Sequence, residues 1–211
     1  MNTILDKELA LIYIFYLFVL PILLIYYHIL PIDYRMVVLA GSALLMLAVV
    51  IHQNWSLSEL GIQKHTPTKQ MVVYLLFTII CIVGLAQFGE YLNHEPLPFW
   101  WTKPAFVLLF IPVSFFQEFA FRGFLMPVLE KALKKWWLII LVNAGLFSLL
   151  HIMYPNPALS LPLAFVGGLG FAAIYYKYPN LILISIAHAA LNFTAILYGF
   201  FNFYPTFTGH F

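Results

Sequence analysis

Charge is scarce in this sequence. Ten Lys and Arg and eight Asp and Glu make up 9% of 211 residues, against about 25% in soluble globular domains. So few charged side chains cannot solvate the exterior of a water-soluble domain of this size. The low polarity equally excludes a disordered chain. A formal charge of +2 is too small to hold a polyanion, which excludes nucleic acid as a partner. Cysteine occurs once, at Cys81, so neither an internal disulfide framework nor a multi-cysteine metal site exists. Lying in an apolar run, Cys81 reads as a small buried hydrophobe.

What is present is apolar. Hydrophobic residues make up 64% of the chain and aromatics 18%, and the mean hydropathy is +0.94. Such a composition belongs to an integral membrane protein, with the lipid bilayer as its first partner. Asp6, Lys7 and Glu8 precede an apolar stretch too long for a signal peptide's core, so that stretch is read as the first span.

Apolar runs near the ~20 residues a crossing needs fall at 9–30, 35–52, 70–88, 104–126, 136–153, 160–176 and 181–203. The expected fold is all-α, a polytopic helical bundle of about seven transmembrane helices, with six or eight as the bounds. No repeat or linker divides residues 1–211, so one domain is expected. With seven spans, one side receives Lys7, Lys64, Lys69, Lys131, Lys134, Lys135 and Lys177, and the other Arg35 and Lys103. That bias predicts a cytoplasmic N-terminus. Trp100/Trp101 and Trp136/Trp137 adjoin lysines at span ends, as interfacial belts do. Ala164, Gly168 and Ala172 form a small-residue stripe that invites close helix packing.

Polar residues inside spans carry the functional signal, because a charge at the bilayer centre costs at least ~2.5–3.5 kcal/mol. The fourth span contains Gln117, Glu118 and Arg122, and the Glu118/Arg122 spacing of four puts both on one helix face. The fifth ends Phe147-Ser148-Leu149-Leu150-His151. The seventh carries His188 and Asn192, again four apart. At ~1.5 Å per residue, Glu118 and His188 lie ~12 Å deep, Asn192 ~18 Å and His151 ~21 Å. One shared cavity lined by all four is the expectation. Outside it, His28 reads as interfacial, and Glu90, His94 and Glu95 as a solvated connector.

These motifs resemble the CAAX protease and bacteriocin-processing (CPBP, or Abi) family of intramembrane proteins. Its Glu-Glu-x-x-x-Arg, Phe-x-x-x-His and His-x-x-x-Asn motifs match Gln117-Glu118-x-x-x-Arg122, Phe147-x-x-x-His151 and His188-x-x-x-Asn192. The resemblance covers residues 104–195. It implies an intramembrane endopeptidase that hydrolyses a peptide bond in a membrane-associated or prenylated peptide or protein. The implied catalytic residues are Glu118, His151, His188 and Asn192, with Gln117, Arg122 and Phe147 supporting. A bacterial cytoplasmic membrane is the implied location.

The chain departs from the family at Gln117, since an amide cannot take a proton from water. Three readings follow: an isosteric inactivating replacement, a variant in which Glu118 with His151 is the base, or a catalytically impaired member serving peptide binding or bacteriocin self-immunity. No cofactor is expected. Zinc is the alternative, but the His-Glu-x-x-His signature is missing and Arg122 would repel a cation. From another class, a proton-coupled transporter also buries Glu, Arg and His in its spans.

Overall fold

A computed structural model describes residues 7–201 except 98, 100, 101, 103 and 155; for 35, 36 and 104–109 it describes the backbone alone. Asp6, Trp100, Trp101 and Lys103, and the last two residues of the seventh expected span, lie outside the described residues. Among the described residues, seven helical segments follow one another. They are α1 (Lys7–Tyr26), α2 (Ile32–His52) and α3 (Thr68–Tyr91), then α4, which runs through Pro104–Glu118, Phe119–Leu125 and Met126–Ala132. After these come α5 (Trp136–Met153), α6 (Pro157–Lys177) and the shorter α7 (Leu181–Leu197). The chain is an all-helical membrane bundle. Among the described residues, α1, α2, α3, α5 and α6 are each long and apolar enough to cross a bilayer, and α7 is a shorter apolar helix.

The first and last expected spans end early, each for a local reason. Helix α1 stops at Tyr26 because His28 turns left-handed, at φ 56°, instead of continuing toward residue 30. Helix α7 stops at Leu197, short of residue 203. Gly199 there adopts φ 69°, its N–H donates to Ile196 O (2.9 Å), and Phe200 N–H donates to Ala195 O (2.9 Å). This is a Schellman cap, in which a left-handed residue satisfies the last carbonyls. Asn54 after α2 and Asn93 after α3 close their helices the same way, at φ 54° and 57°.

Among the described residues, two helices contain π-helical turns, Phe15–Val19 in α1 and Phe119–Leu125 in α4. Each ends two residues before a proline, Pro21 or Pro127. Proline lacks the N–H that an α-helix needs and its ring clashes with the carbonyl four residues back. A wider turn relieves both, which is one recognised origin of such bulges. The two turns meet through Phe18 and Phe121, whose rings lie edge to face at 5.3 Å.

One end of the bundle is closed by the connector between α2 and α3. Gly61 O accepts from Leu181 N (2.8 Å), Leu60 O from the Tyr175 hydroxyl (3.1 Å), and Thr66 Oγ1 from Asn180 Nδ2 (2.9 Å). Asn180 also caps α7, its Oδ1 accepting from Leu183 N at 3.0 Å. Gly61 is needed there: its φ is 74°, and a Cβ would stand 2.2 Å from the Tyr175 hydroxyl. Beneath this closure lies the apolar core, where Phe124, Leu125, Val128, Leu129, Leu181 and Ile184 are fully buried.

Candidate functional site

Helices α4 and α7 carry matching polar stripes. Ser114, Glu118 and Arg122 recur every four residues on α4, and His188 and Asn192 stand four apart on α7. Packed antiparallel, the stripes pair rung by rung. Glu118 Oε1 accepts from His188 Nδ1 (2.5 Å), and Asn192 Nδ2 donates to Ser114 Oγ (3.3 Å). Glu118 Oε1 also accepts from Arg122 Nη1 at 3.0 Å, both side chains being wholly buried. The shared helix face read from the spacing thus holds an ion pair, and its carboxylate is shared with a histidine from another helix.

Arg122 is held at both Nη atoms and by two aromatic rings, while its buried Nε has no hydrogen-bond partner among the described residues. Its Nη2 donates to Gly168 O on α6 (3.3 Å). The guanidinium lies 4.8 Å from the Phe147 ring centre and 5.3 Å from that of Phe171, distances at which cation–π attraction operates. The same two rings flank His188, at 5.6 and 5.0 Å. The stripe of small residues does more than pack. A Cβ on Gly168 would lie 3.2 Å from the backbone of Ala144 and 3.1 Å from Phe147, so glycine lets α6 bring its carbonyl to Arg122.

Beside this cluster lies a cavity of about 150 Å³. Its walls are mostly apolar, from Leu17, Phe18 and Ile22 of α1, Leu39, Ala43 and Met46 of α2, and Val113, Ala120 and Phe121 of α4. Gln117, His151 and Asn192 bring polar groups to it, with Ser42 and Tyr154. Glu118 and His188 are not on its wall: they are 0% and 2% exposed. The expectation that all four expected catalytic residues line one cavity is thus corrected. Adjacent helix positions differ by about 100°, so when Gln117 faces the cavity, Glu118 faces α7.

His151 sits in a 3-10 turn, Leu150–Met153, that ends α5. Its Nδ1 lies 3.1 Å from Phe147 O. A carbonyl only accepts, so Nδ1 carries the hydrogen and Nε2 of the neutral ring keeps a lone pair. Tyr154 stacks on the ring at 5.3 Å and Phe201 lies at 5.1 Å. His188 has the complementary arrangement, with Nδ1 toward a carboxylate. A carboxylate so placed fixes the orientation of an imidazole.

Sequence reasoning missed Ser114, Phe171 and the contribution of α1 and α2. Ser114 had a legible signal, since it precedes Glu118 by the same four residues that separate His188 from Asn192. Phe171 and the α1–α2 wall are apolar in an apolar chain and had none. His28 is exposed in the turn after α1, and His94 Nδ1 is engaged with Tyr198 O at 2.8 Å.

Residues 99–194 match the family model described as type II CAAX prenyl endopeptidase Rce1-like, and that stretch includes all three motifs. No curated protein and no solved structure matches the chain.

Proposed function

We propose that this chain, similar over residues 99–194 to type II CAAX prenyl endopeptidases, is an intramembrane endopeptidase acting on an apolar peptide or the membrane-associated, prenylated end of a protein. One observation carries the reading: Gln117, His151 and Asn192 converge on an otherwise apolar cavity inside the bundle. His151 Nε2 takes a proton from water as the water oxygen adds to the scissile carbonyl carbon. Gln117 accepts a hydrogen bond from that water and orients it. The oxyanion meets the Asn192 amide on the cavity wall, while His188, one helical turn away on α7, is held behind that wall by Glu118. His151 then returns the proton to the leaving amine as the C–N bond breaks. Donors aimed at developing charge in a dry site contribute roughly 3–4 kcal/mol each.

No metal is needed in this scheme. Glu118 Oε1 is occupied by two donors, Arg122 and His188, and the guanidinium repels a cation. The N-terminus is read as cytoplasmic on the strength of the lysine bias, and a bacterial cytoplasmic membrane is what the family resemblance implies. A periplasmic reporter active when fused at Lys135 would reverse that orientation.

The test is cleavage of fluorogenic peptides, with and without a prenylated end, by purified chain in nanodiscs. His151→Ala is expected to lower the rate at least ~100-fold. Equal rates with and without His151 would refute its role as base. A second reading, peptide binding without cleavage as in bacteriocin self-immunity, is favoured by the amide at Gln117. Tight binding with no cleavage, unrelieved by Gln117→Glu, would select it.

A further inference from the structure

Asn143 is a wholly buried polar residue that the reaction above does not use. It stands on α5, and its Nδ2 donates to Phe121 O at 2.7 Å. Phe121 belongs to the π turn of α4. A carbonyl oxygen has two lone pairs, so it accepts this side chain whatever its own helix asks of it. The bond ties α5 to the one part of α4 whose winding is irregular.

Asn143, Phe147 and His151 recur every four residues and form a single stripe on α5. The first is bonded to Phe121 O. The second lays its ring edge to face on Phe121 at 5.2 Å and 4.8 Å from Arg122. The third reaches the cavity and is tied back to the stripe through Phe147 O. Below the tie, rings and methyl groups can slide; the amide–carbonyl bond is directional. A shift of α5 by one residue would turn it about 100° and carry His151 off the cavity wall.

We propose that Asn143 is a positioning residue: its bond to the Phe121 carbonyl inside the π turn sets the register of α5 against α4, and so the place of His151 relative to Gln117. The catalytic consequence rests on the hydrolytic reading above, whereas the register itself does not. The first experiment therefore needs no turnover. It records the imidazole NMR signals of ring-labelled histidine in the full chain in nanodiscs, with His151 assigned by substitution. Asn143→Leu, which fills the space without a donor, is expected to move the His151 signals while helical content is kept. Asn143→Gln, which keeps an amide N–H, is expected to return them toward their original positions. A lower melting temperature with His151 signals unmoved would show a structural staple only and overturn the proposal. Should Asn143→Leu fail to fold, Asn143→Ser, whose hydroxyl is too short to span the gap, is read by the same signals.

The second experiment asks for the consequence. In the chain with Gln117 in place, where His151 is the base, Asn143→Leu is expected to lower kcat about 100-fold at little change in KM, the scale of a misplaced reacting group. Moved signals with unchanged kcat would leave the register assignment standing and count against His151 as the base.

Discussion

Replacing Gln117 with glutamate is expected to raise the rate of peptide hydrolysis by about 100- to 10,000-fold, the range of a well-placed general base. The substitution is isosteric, so the side chain still faces the cavity with His151 and Asn192. What changes is proton affinity. An amide oxygen orients water but cannot take its proton, whereas a carboxylate does both. Glu118 cannot substitute for it: that carboxylate is wholly buried, turned to α7, and bonded to Arg122 and His188. Stability is expected to move the other way, because the new carboxylate adds a second negative charge next to Glu118 in an apolar setting. Initial rates and melting temperatures measured on the same preparations check both directions. An unchanged rate would mean that position 117 takes no part in proton transfer.

Arg122→Met is expected to destabilise the protein by about 3–5 kcal/mol, the cost of leaving a buried charge unpaired. Glu118 would lose its cation, and His188 would remain its one hydrogen-bond partner among the described residues. The methionine would keep contact with the rings of Phe147 and Phe171 but not the cation–π attraction. Adding Glu118→Gln to Arg122→Met is expected to recover much of the loss, since a neutral amide needs no countercharge. Thermal unfolding in one detergent, for the two single variants and the double, gives the coupling directly. A single-variant effect below about 1 kcal/mol would mean that water or lipid headgroups reach the pair, contrary to its complete burial.

Much of this was legible in the sequence because helical spacing makes polar pairs visible against an apolar background. Glu118 with Arg122, and His188 with Asn192, stand out at four-residue intervals, and the structure joins them across α4 and α7. Spacing alone could not say which of two neighbours, Gln117 or Glu118, meets the cavity. That depends on how α4 is rotated against α7, which is set by the Ser114–Asn192 and Glu118–His188 rungs. The π turns were hidden for another reason. Pro21 and Pro127 announce a disturbance in each helix, but whether it becomes a kink, a break or a wider turn depends on packing. The cavity walls from α1 and α2 are made of residues indistinguishable in type from those that face lipid. The early ends of α1 and α7 depend on single left-handed residues, His28 and Gly199. Gly199 was open to that reading. A left-handed histidine was not.

The most direct test is a cysteine scan of α4 from Val113 to Phe121 in a Cys81→Ala chain in nanodiscs, read by the rate of alkylation with a small membrane-permeant maleimide. The account predicts fast labelling at 113, 116, 117, 120 and 121, the cavity positions, and slow labelling at 114, 118 and 119, with an apolar substrate peptide protecting the fast group. A pattern in which position 118 labels in phase with 113 and 120 while 117 is sheltered would turn α4 the other way. It would put Glu118 on the cavity wall and contradict the account.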